Sequence, residues 1–321
     1  MTAGLLYQAR RHAALIGMPL LVVLFLAATV QIHPKFGSFD FQSLALGALP
    51  LALAAAAQTV VVLSGGVDLS VGSMMTVANV VSARVMQHAS FEQSLLLGAL
   101  IVLGGAVAGA LNGFVLVLSR VPDVVVTLAT GFIWGGVALL ILAQPGGGAP
   151  EGFLNLATGT LFTPWLPNAM VLLAVVVTVI WLPIRTSRLG LALYAVGSDR
   201  TAAFRSGVGV ESTRFLAYVI GGLFNAVGGL ALTMTTGIGA PLSGAFYTLT
   251  GLAAVVIGGV SLAGGRGGMV GPVLAAYILT LIPTDLIFLN IDPNFGQVIK
   301  GTLIVLVVMS GGLATLLRQR P

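Results

Sequence analysis

The sequence predicts an all-α polytopic membrane protein of about ten transmembrane helices, with both termini in the cytoplasm. Three observations predict this class. Hydrophobic residues make up 57% of the 321 residues and charged residues only 7%, whereas a soluble domain carries about 25% charged residues. The mean hydropathy is +1.07. Apolar runs of helix length alternate with short polar breaks, whereas a membrane β-barrel would show shorter strands of alternating polarity.

Ten apolar runs reach the length of about 20 residues that a helix needs to cross the hydrocarbon. They are residues 13–32, 43–63, 69–87, 94–118, 124–143, 168–184, 215–236, 247–263, 269–288 and 297–317. The first run is long enough to span and lacks a small-residue cleavage site, so no cleavable signal is expected. The polar breaks are too short for a soluble domain, which predicts one transmembrane domain over residues 1–321.

The basic residues predict the orientation, because cytoplasmic loops carry an excess of Lys and Arg. With the N-terminus in the cytoplasm and ten alternating segments, 11 of the 14 Lys and Arg residues fall on the cytoplasmic side. The exceptions are Lys35, Arg84 and Lys300. The net charge of +5 therefore reports membrane topology, and no nucleic-acid partner is expected.

Two polar breaks are long. The outer break, 144–167, contains Trp165, and two interpretations stay open: an aromatic anchor at the membrane interface or a docking surface for an outside partner. The inner break, 185–214, carries much of the charge. Within it, residues 198–206 are predicted to form a short helix outside the bilayer, with Ser198 or Asp199 as its N-cap.

Two glycine-rich turns are similar to each other. The first, GGVDLSVG at 65–72, shares five of eight residues with GGVSLAGG at 258–265. We call residues 65–72 the signature turn and residues 258–268 the second turn. Glycine-interrupted segments in corresponding positions of two halves point to the working part of a transporter. Either a parallel internal repeat or chance identity in Gly/Val-rich sequence explains the match.

The sequence lacks the patterns of several function classes. It contains no GxxxxGK[ST] nucleotide-binding loop, no HExxH and no cysteine, so nucleotide hydrolysis and thiolate metal sites are not expected. Three histidines all lie at segment ends, and no nucleophile–base pair is recognisable. Only Asp68 is an acid near a segment junction, which is a thin basis for ion coupling. The energy source is expected on another subunit.

Several motifs together resemble the permease subunits of bacterial sugar ATP-binding-cassette (ABC) importers of the ribose, xylose, arabinose and galactofuranose type. GGVDLSVG resembles that family's GGIDLSVG signature. Four other stretches resemble family patterns in the same order along the chain: PDVVVTLAT at 122–130, AVGSDRTAAFRSGV at 195–208, LAAVVIGGVSLAGGRG at 252–267 and DPNFGQVIKGTLIVLVVM at 292–309. The resemblance therefore covers nearly the whole chain.

The resemblance implies a multi-pass permease of the bacterial inner membrane that carries a monosaccharide or related polyol. It implies a second permease subunit, identical or different, an ABC ATPase on separate polypeptides and a periplasmic sugar-binding protein. The chain itself would have no catalytic site, no metal and no cofactor, because ATP would bind the partner subunit. The alternative is an ion-coupled secondary carrier or channel for a small polar solute.

The resemblance makes the inner break the element that couples the permease to its ATPase. Its candidate coupling residues are Gly197, Asp199, Arg200, Ala202, Ala203, Arg205, Ser206 and Gly207. The alternative is a solvated, positively charged loop. Two departures stand out: the family commonly has Asn-Glu at 199–200, and it has acids where this chain has Thr248 and Thr250. The first departure suggests an ATPase with a matched surface.

Further candidate residues lie in the two turns and within the spans. In the signature turn they are Gly65, Gly66, Asp68, Ser70 and Gly72, and in the second turn Gly258, Gly259, Gly264, Gly265 and Arg266. Asp68 either caps the third segment or bonds the backbone of a broken helix, with Ser70 sharing that role, or it faces the cytoplasmic end of the pathway or the ATPase. Asn79, Asn112 and Asn225 either line the pathway or bridge helices.

Overall fold

A computed structural model describes residues 2–302 together with 305 and 309, with side chains from residue 17 onward. The described residues are mostly helical and contain no β-strand, as the sequence predicts. The helices are α1 Thr2–Ile32, α2 Ser38–Leu63, α3 Val71–Met86, α4 Phe91–Ser119, α5 Asp123–Ile141, α6 Glu151–Leu154, α7 Asn168–Thr186, α8 Arg188–Ser198, α9 Arg200–Arg205, α10 Val210–Thr236, α11 Ala245–Ile257 and α12 Val270–Phe288.

Among the described residues, six helices are long and apolar enough to cross a membrane: α2, α4, α5, α7, α10 and α12. The predicted third and eighth segments are shorter than expected. As α3 and α11 they contain 16 and 13 residues, about 24 and 20 Å at 1.5 Å per residue, which is less than the roughly 30 Å hydrocarbon core. The predicted tenth segment, 297–317, lies largely outside the described residues.

Helix α2 forms the centre of the bundle. From Ala48 to Leu63 its residues are buried, including the alanine run 54–57. It packs against α10, α12, α11 and α7, because its small side chains let neighbouring backbones come close. Helices α4, α5 and α7 instead expose many apolar side chains, such as Phe132 and Leu140, as expected of a surface that faces lipid.

Helices α4 and α10 pack through glycines. Gly105 and Gly109 form a GxxxG pair on α4 and face Gly222 on α10. A Cβ on Gly105 would lie 2.5 Å from the Gly222 carbonyl oxygen, and a Cβ on Gly109 would overlap the Tyr218 carbonyl. The two backbones therefore touch directly, which fixes α10 in the bundle.

The two ends of the bundle differ. The glycine end carries residues 64–66, α8, α9 and the second turn. The loop end carries residues 142–167, in which Gly146 exchanges backbone hydrogen bonds of 2.9 Å with Gly239. The predicted short helix exists as α9, and its N-cap is Asp199, whose carboxylate accepts hydrogen bonds from the backbone N–H groups of Thr201 and Ala202.

Replacement of Gly105 by Ala should destabilise the protein, because the new methyl group would press on α10. Overpacking lowers the free energy of unfolding by about 1–3 kcal/mol. The better helix propensity of Ala offsets about 1 kcal/mol of this loss. The adjacent Gly104→Ala is a matched control, since no atom lies within 4 Å of its new Cβ. Thermal unfolding in detergent should show a lower midpoint for Gly105→Ala only. Equal midpoints would contradict the close helix contact.

Candidate functional site

The signature turn runs into the bundle instead of turning at its end. The backbone carbonyl of Asp68 accepts a 2.6 Å hydrogen bond from Gln58, which lies five residues before the end of α2, about 8 Å inward. The N–H of Gly72 donates to Thr248 Oγ1 at 3.1 Å, nine residues before the end of α11, about 14 Å inward. Helix α3 therefore begins inside the bundle. The sequence predicts a turn at the membrane edge, and only its first glycines lie there.

A second non-helical segment, 237–244, enters from the loop end and runs along α3. Asn79 contacts Ile238 and Ala240, and Thr76 contacts Gly244. The two segments meet where the start of α3 touches the start of α11. A Cβ on Gly72 would overlap the Gly244 carbonyl oxygen, and the reverse is also true. Only glycine permits this contact of the two backbones.

Asn79 forms hydrogen bonds with the backbone of the segment 237–244. Its Nδ2 donates to the carbonyl of Ile238 at 3.1 Å and to Thr233 Oγ1 at 2.9 Å, and its Oδ1 accepts from the N–H of Ala240 at 2.8 Å. Thr76 Oγ1 likewise accepts from the N–H of Gly244 at 3.0 Å. Both ends of the Asn79 amide, predicted as a candidate for the pathway lining, are thus used inside the protein.

Asp68 is 1% exposed and organises a buried network. Its Oδ1 accepts hydrogen bonds from the N–H and the Oγ of Ser70, at 2.8 and 2.5 Å. Ser70 Oγ accepts from Asn112 Nδ2 at 2.7 Å, and Asn112 Oδ1 accepts from Trp134 Nε1 at 3.0 Å. This network joins α3, α4 and α5, and Ser70 immediately precedes α3. The geometry is that of a carboxylate that holds the start of a broken helix.

Asn225 differs from the other two predicted asparagines. It is completely buried, and its Nδ2 lies 3.6 Å from Met74 Sδ. Its Oδ1 has no hydrogen-bond partner among the described residues. The sequence alone does not separate these asparagines, because each lies within an apolar helix.

We call the inner break, residues 185–214, the coupling loop. This loop and both glycine-rich turns meet at the glycine end. A Cβ on Gly197 would overlap the Leu63 carbonyl, and one on Gly264 would lie 2.7 Å from Gly65 Cα. The N–H of Gly265 donates to Leu63 at 3.1 Å. We call the contact of Gly65, Gly197, Gly264 and Gly265 the glycine junction. The three segments that the sequence singles out separately form one contact.

The other predicted residues of these segments lie around the junction. Gly258 packs against the backbone of Gly271 and Pro272. Ala203 is buried. The remaining members are exposed at the surface of this end: Ala202, Arg205, Ser206, Gly207, Gly259 and Arg266.

Arg200 links α9 to the signature turn. Its Nη2 donates a 2.8 Å hydrogen bond to the carbonyl of Gly65. Partial burial lowers the pKa of Arg200 from its ordinary value, and the charge of Arg214 lowers it further. Together with the N-cap at Asp199, this gives both residues of the Asp-Arg departure a partner within the chain itself.

Sequence reasoning missed an ion pair at the same end. Arg214 at the start of α10 bonds to the carboxylate of Asp123 at the start of α5, and this is the one ion pair among the described residues. The Tyr218 hydroxyl lies 3.2 Å from both Asp123 Oδ2 and the carbonyl of Val67. The sequence does hold a signal that could have identified Asp123. It is one of only nine acids, and it follows Pro122 at a helix start.

The chain is similar to known transport proteins. Residues 41–308 match the family described as branched-chain amino acid transport system / permease component. The chain belongs to this family. It is 33% identical, over 95% of its length and 90% of the relative, to a probable ABC transporter permease protein, y4mJ, of Sinorhizobium fredii. No solved structure matches it.

Two further relatives have more specific names. The ribose import permease protein RbsC of Haemophilus influenzae is 26% identical over 90% of both chains. The autoinducer 2 import system permease protein LsrD of Yersinia enterocolitica is 29% identical over 87% of this chain and 83% of its own. These matches confirm the resemblance to permease subunits of sugar ABC importers. The protein is a multi-pass protein of the inner membrane.

The buried amides of Asn79 and Asn225 should respond differently to replacement by Leu. Asn79→Leu leaves the part-buried N–H of Ala240 without its partner and removes one of the two side-chain hydrogen bonds to the carbonyl of Ile238. A backbone group that loses its partner costs about 1–3 kcal/mol. Asn225→Leu removes only one long contact and an unpaired oxygen, so stability should change little. Thermal unfolding of the two variants in detergent measures the difference. A similar loss in both would contradict the backbone role of Asn79.

Proposed function

We propose that this chain is the transmembrane permease subunit of an ABC importer that carries a monosaccharide or related polyol across the inner membrane. The observation that carries the proposal is a pair of non-helical segments, 64–70 and 237–244. They come together inside the bundle, where Gly72 at the start of α3 touches Gly244. Broken helices near the bilayer midplane are where many transporters form their substrate site. Helices α3 and α11 are the short helices that follow these breaks.

The polar groups near this meeting point suit a sugar that a periplasmic binding protein delivers to the permease. Both ends of the Asn79 and Asn112 amides are engaged within the protein, so we assign the pathway lining to partly exposed hydroxyl side chains near the meeting point: Ser73, Ser243 and Thr248. Thr248 accepts a bond from Gly72 and keeps its own proton to donate. Hydroxyl groups donate and accept hydrogen bonds and therefore suit a polyol. Weak lining of this kind lets a substrate pass without tight binding.

The proposed topology has ten spanning segments in one permease domain, with both termini and the glycine end in the cytoplasm. Its support is the excess of Arg at that end, where Arg200, Arg205 and Arg266 lie on the segments that meet at the glycine junction or beside it. The loop end, with residues 142–167, would then face the periplasm and the binding protein. Cytoplasmic loops carry such a positive excess.

The proposed partners are a second permease subunit, a periplasmic sugar-binding protein and an ABC ATPase that supplies the nucleotide chemistry. The coupling loop would dock on this ATPase through the exposed side of α9, where Phe204 and Arg205 are exposed. Motion of α8 and α9 would reach the pathway through two contacts, Gly197 of α8 against Leu63 and Arg200 of α9 to Gly65. Both lie on the segment that leads to Asp68.

The function is tested with the chain reconstituted in vesicles together with the ATPase and the binding protein that we expect to be encoded beside it. Uptake of labelled ribose or another sugar bound by that binding protein should require all three proteins and ATP. A labelled branched-chain amino acid is tested in parallel, because the family description names that substrate class. Uptake by this chain alone under an ion gradient would instead establish a secondary carrier.

Substitutions of the two arginines of α9 should affect different steps, namely coupling to ATP hydrolysis and docking of the ATPase. Arg200→Gln removes the bond to the Gly65 carbonyl, so ATPase binding should stay unchanged while sugar transported per ATP hydrolysed falls severalfold. Arg205→Glu changes an exposed charge and should weaken ATPase binding itself. Pull-down of the ATPase and parallel assays of uptake and hydrolysis measure both effects. Unchanged transport per ATP in Arg200→Gln would remove this contact from the coupling path.

A further inference from the structure

A cavity of about 570 Å³ opens at the glycine end beside the ion pair. The end of α4, the start of α5, α9 and the start of α10 enclose it together with the first residues of the signature turn. Three arginines and two acids line it: Arg120, Arg200, Arg214, Asp123 and Glu211. The lining therefore has a net charge of +1, and it lies outside the meeting point of the two entering segments.

Glu211 and two of the three arginines of the lining, Arg120 and Arg200, are outside the ion pair among the described residues, so positive charge still exceeds negative charge in the cavity. Asp123 is engaged by Arg214 and Tyr218, and Arg200 donates to the Gly65 carbonyl. Arg120 makes no side-chain hydrogen bond or ion pair with any residue in the described part of the chain. Arg214 Nε is buried without a hydrogen-bond partner in that part. Among the described residues, the cavity thus holds one exposed, unpaired guanidinium at Arg120, while Arg214 adds positive charge at its wall.

The other wall of the cavity is apolar and belongs to the lipid-facing helices. Val117, Val121 and Val124 line it. Beside them Leu118 is 70% and Val125 55% exposed. The cavity therefore lies where an apolar helix surface gives way to arginines, which is the chemistry of the boundary between acyl chains and headgroups.

We propose that this cavity binds the phosphodiester headgroup of an anionic phospholipid. Guanidinium groups bind phosphate oxygens with charge-assisted hydrogen bonds, and basic pockets between transmembrane helices bind anionic headgroups. The phosphate lies at Arg120, near the positive charge of Arg214, and the acyl chains lie along Val121 and Val124. Because Gly65 and Arg200 also line the cavity, the bound lipid stabilises the glycine junction. The proposal does not depend on which solute is transported.

The test uses the full chain in nanodiscs made from equal amounts of phosphatidylcholine and phosphatidylglycerol. Native mass spectrometry measures which lipid stays bound. Arg120→Asn should lower retention of phosphatidylglycerol relative to phosphatidylcholine roughly fivefold, the effect of one basic residue near an anionic surface. Asn suits this position because Arg120 has φ 56°, a left-handed conformation that Asn tolerates. Arg120→Lys keeps the charge and should retain most of the preference.

Arg188→Gln is the control, because Arg188 is exposed and does not line the cavity. It should leave the preference unchanged. An equal fall in Arg120→Asn and Arg188→Gln would show diffuse attraction and overturn the site, as would no fall in Arg120→Asn. Displacement of phosphatidylglycerol by soluble glycerol phosphate would reassign the cavity to a free phosphate ligand. Its complete displacement by the ATPase subunit would reassign it to protein docking.

Discussion

The structure depends on one constraint: backbone that leaves a helix inside the bilayer must find all its hydrogen bonds within the protein. Each unsatisfied group in hydrocarbon costs several kcal/mol. Two segments, 64–70 and 237–244, meet this constraint with side chains that are otherwise out of place in apolar helices. Gln58, Asn79 and Thr76 each bond a backbone group of these segments. Their polar side chains therefore satisfy the backbone of the broken helices.

The same constraint explains the position of Asp68. A buried carboxylate is costly unless it is hydrogen-bonded, and here two donors from Ser70 satisfy it. Through Ser70, Asn112 and Trp134 it ties α4 and α5 to the start of α3. The acid therefore sets where α3 begins, and with it the level at which the entering segments meet.

The glycine junction connects this interior to the surface. Gly65, Gly197 and Gly264 bring three backbones into contact, so a shift of α8, which carries Gly197, presses directly on the segment that leads to Asp68. Backbone contacts are stiffer than contacts between flexible side chains, which suits a part that transmits movement. Arg200 adds a directed hydrogen bond to the same segment.

The sequence by itself determined the helical membrane class, the family, most helix positions and a short helix capped by Ser198 or Asp199, because hydrophobic length, charge bias and capping are local properties. It also singled out Gly65, Gly197 and Gly264. The structure assigned the cap to Asp199. Only the tertiary structure decided that these glycines touch, that α3 starts inside the bundle, and that Asp123 pairs with Arg214. Each of these depends on contacts between residues far apart in the chain, such as Gly65 with Gly197, Gly72 with Thr248 at a separation of 176 and Asp123 with Arg214 at a separation of 91. Packing sets such contacts, and local pattern does not.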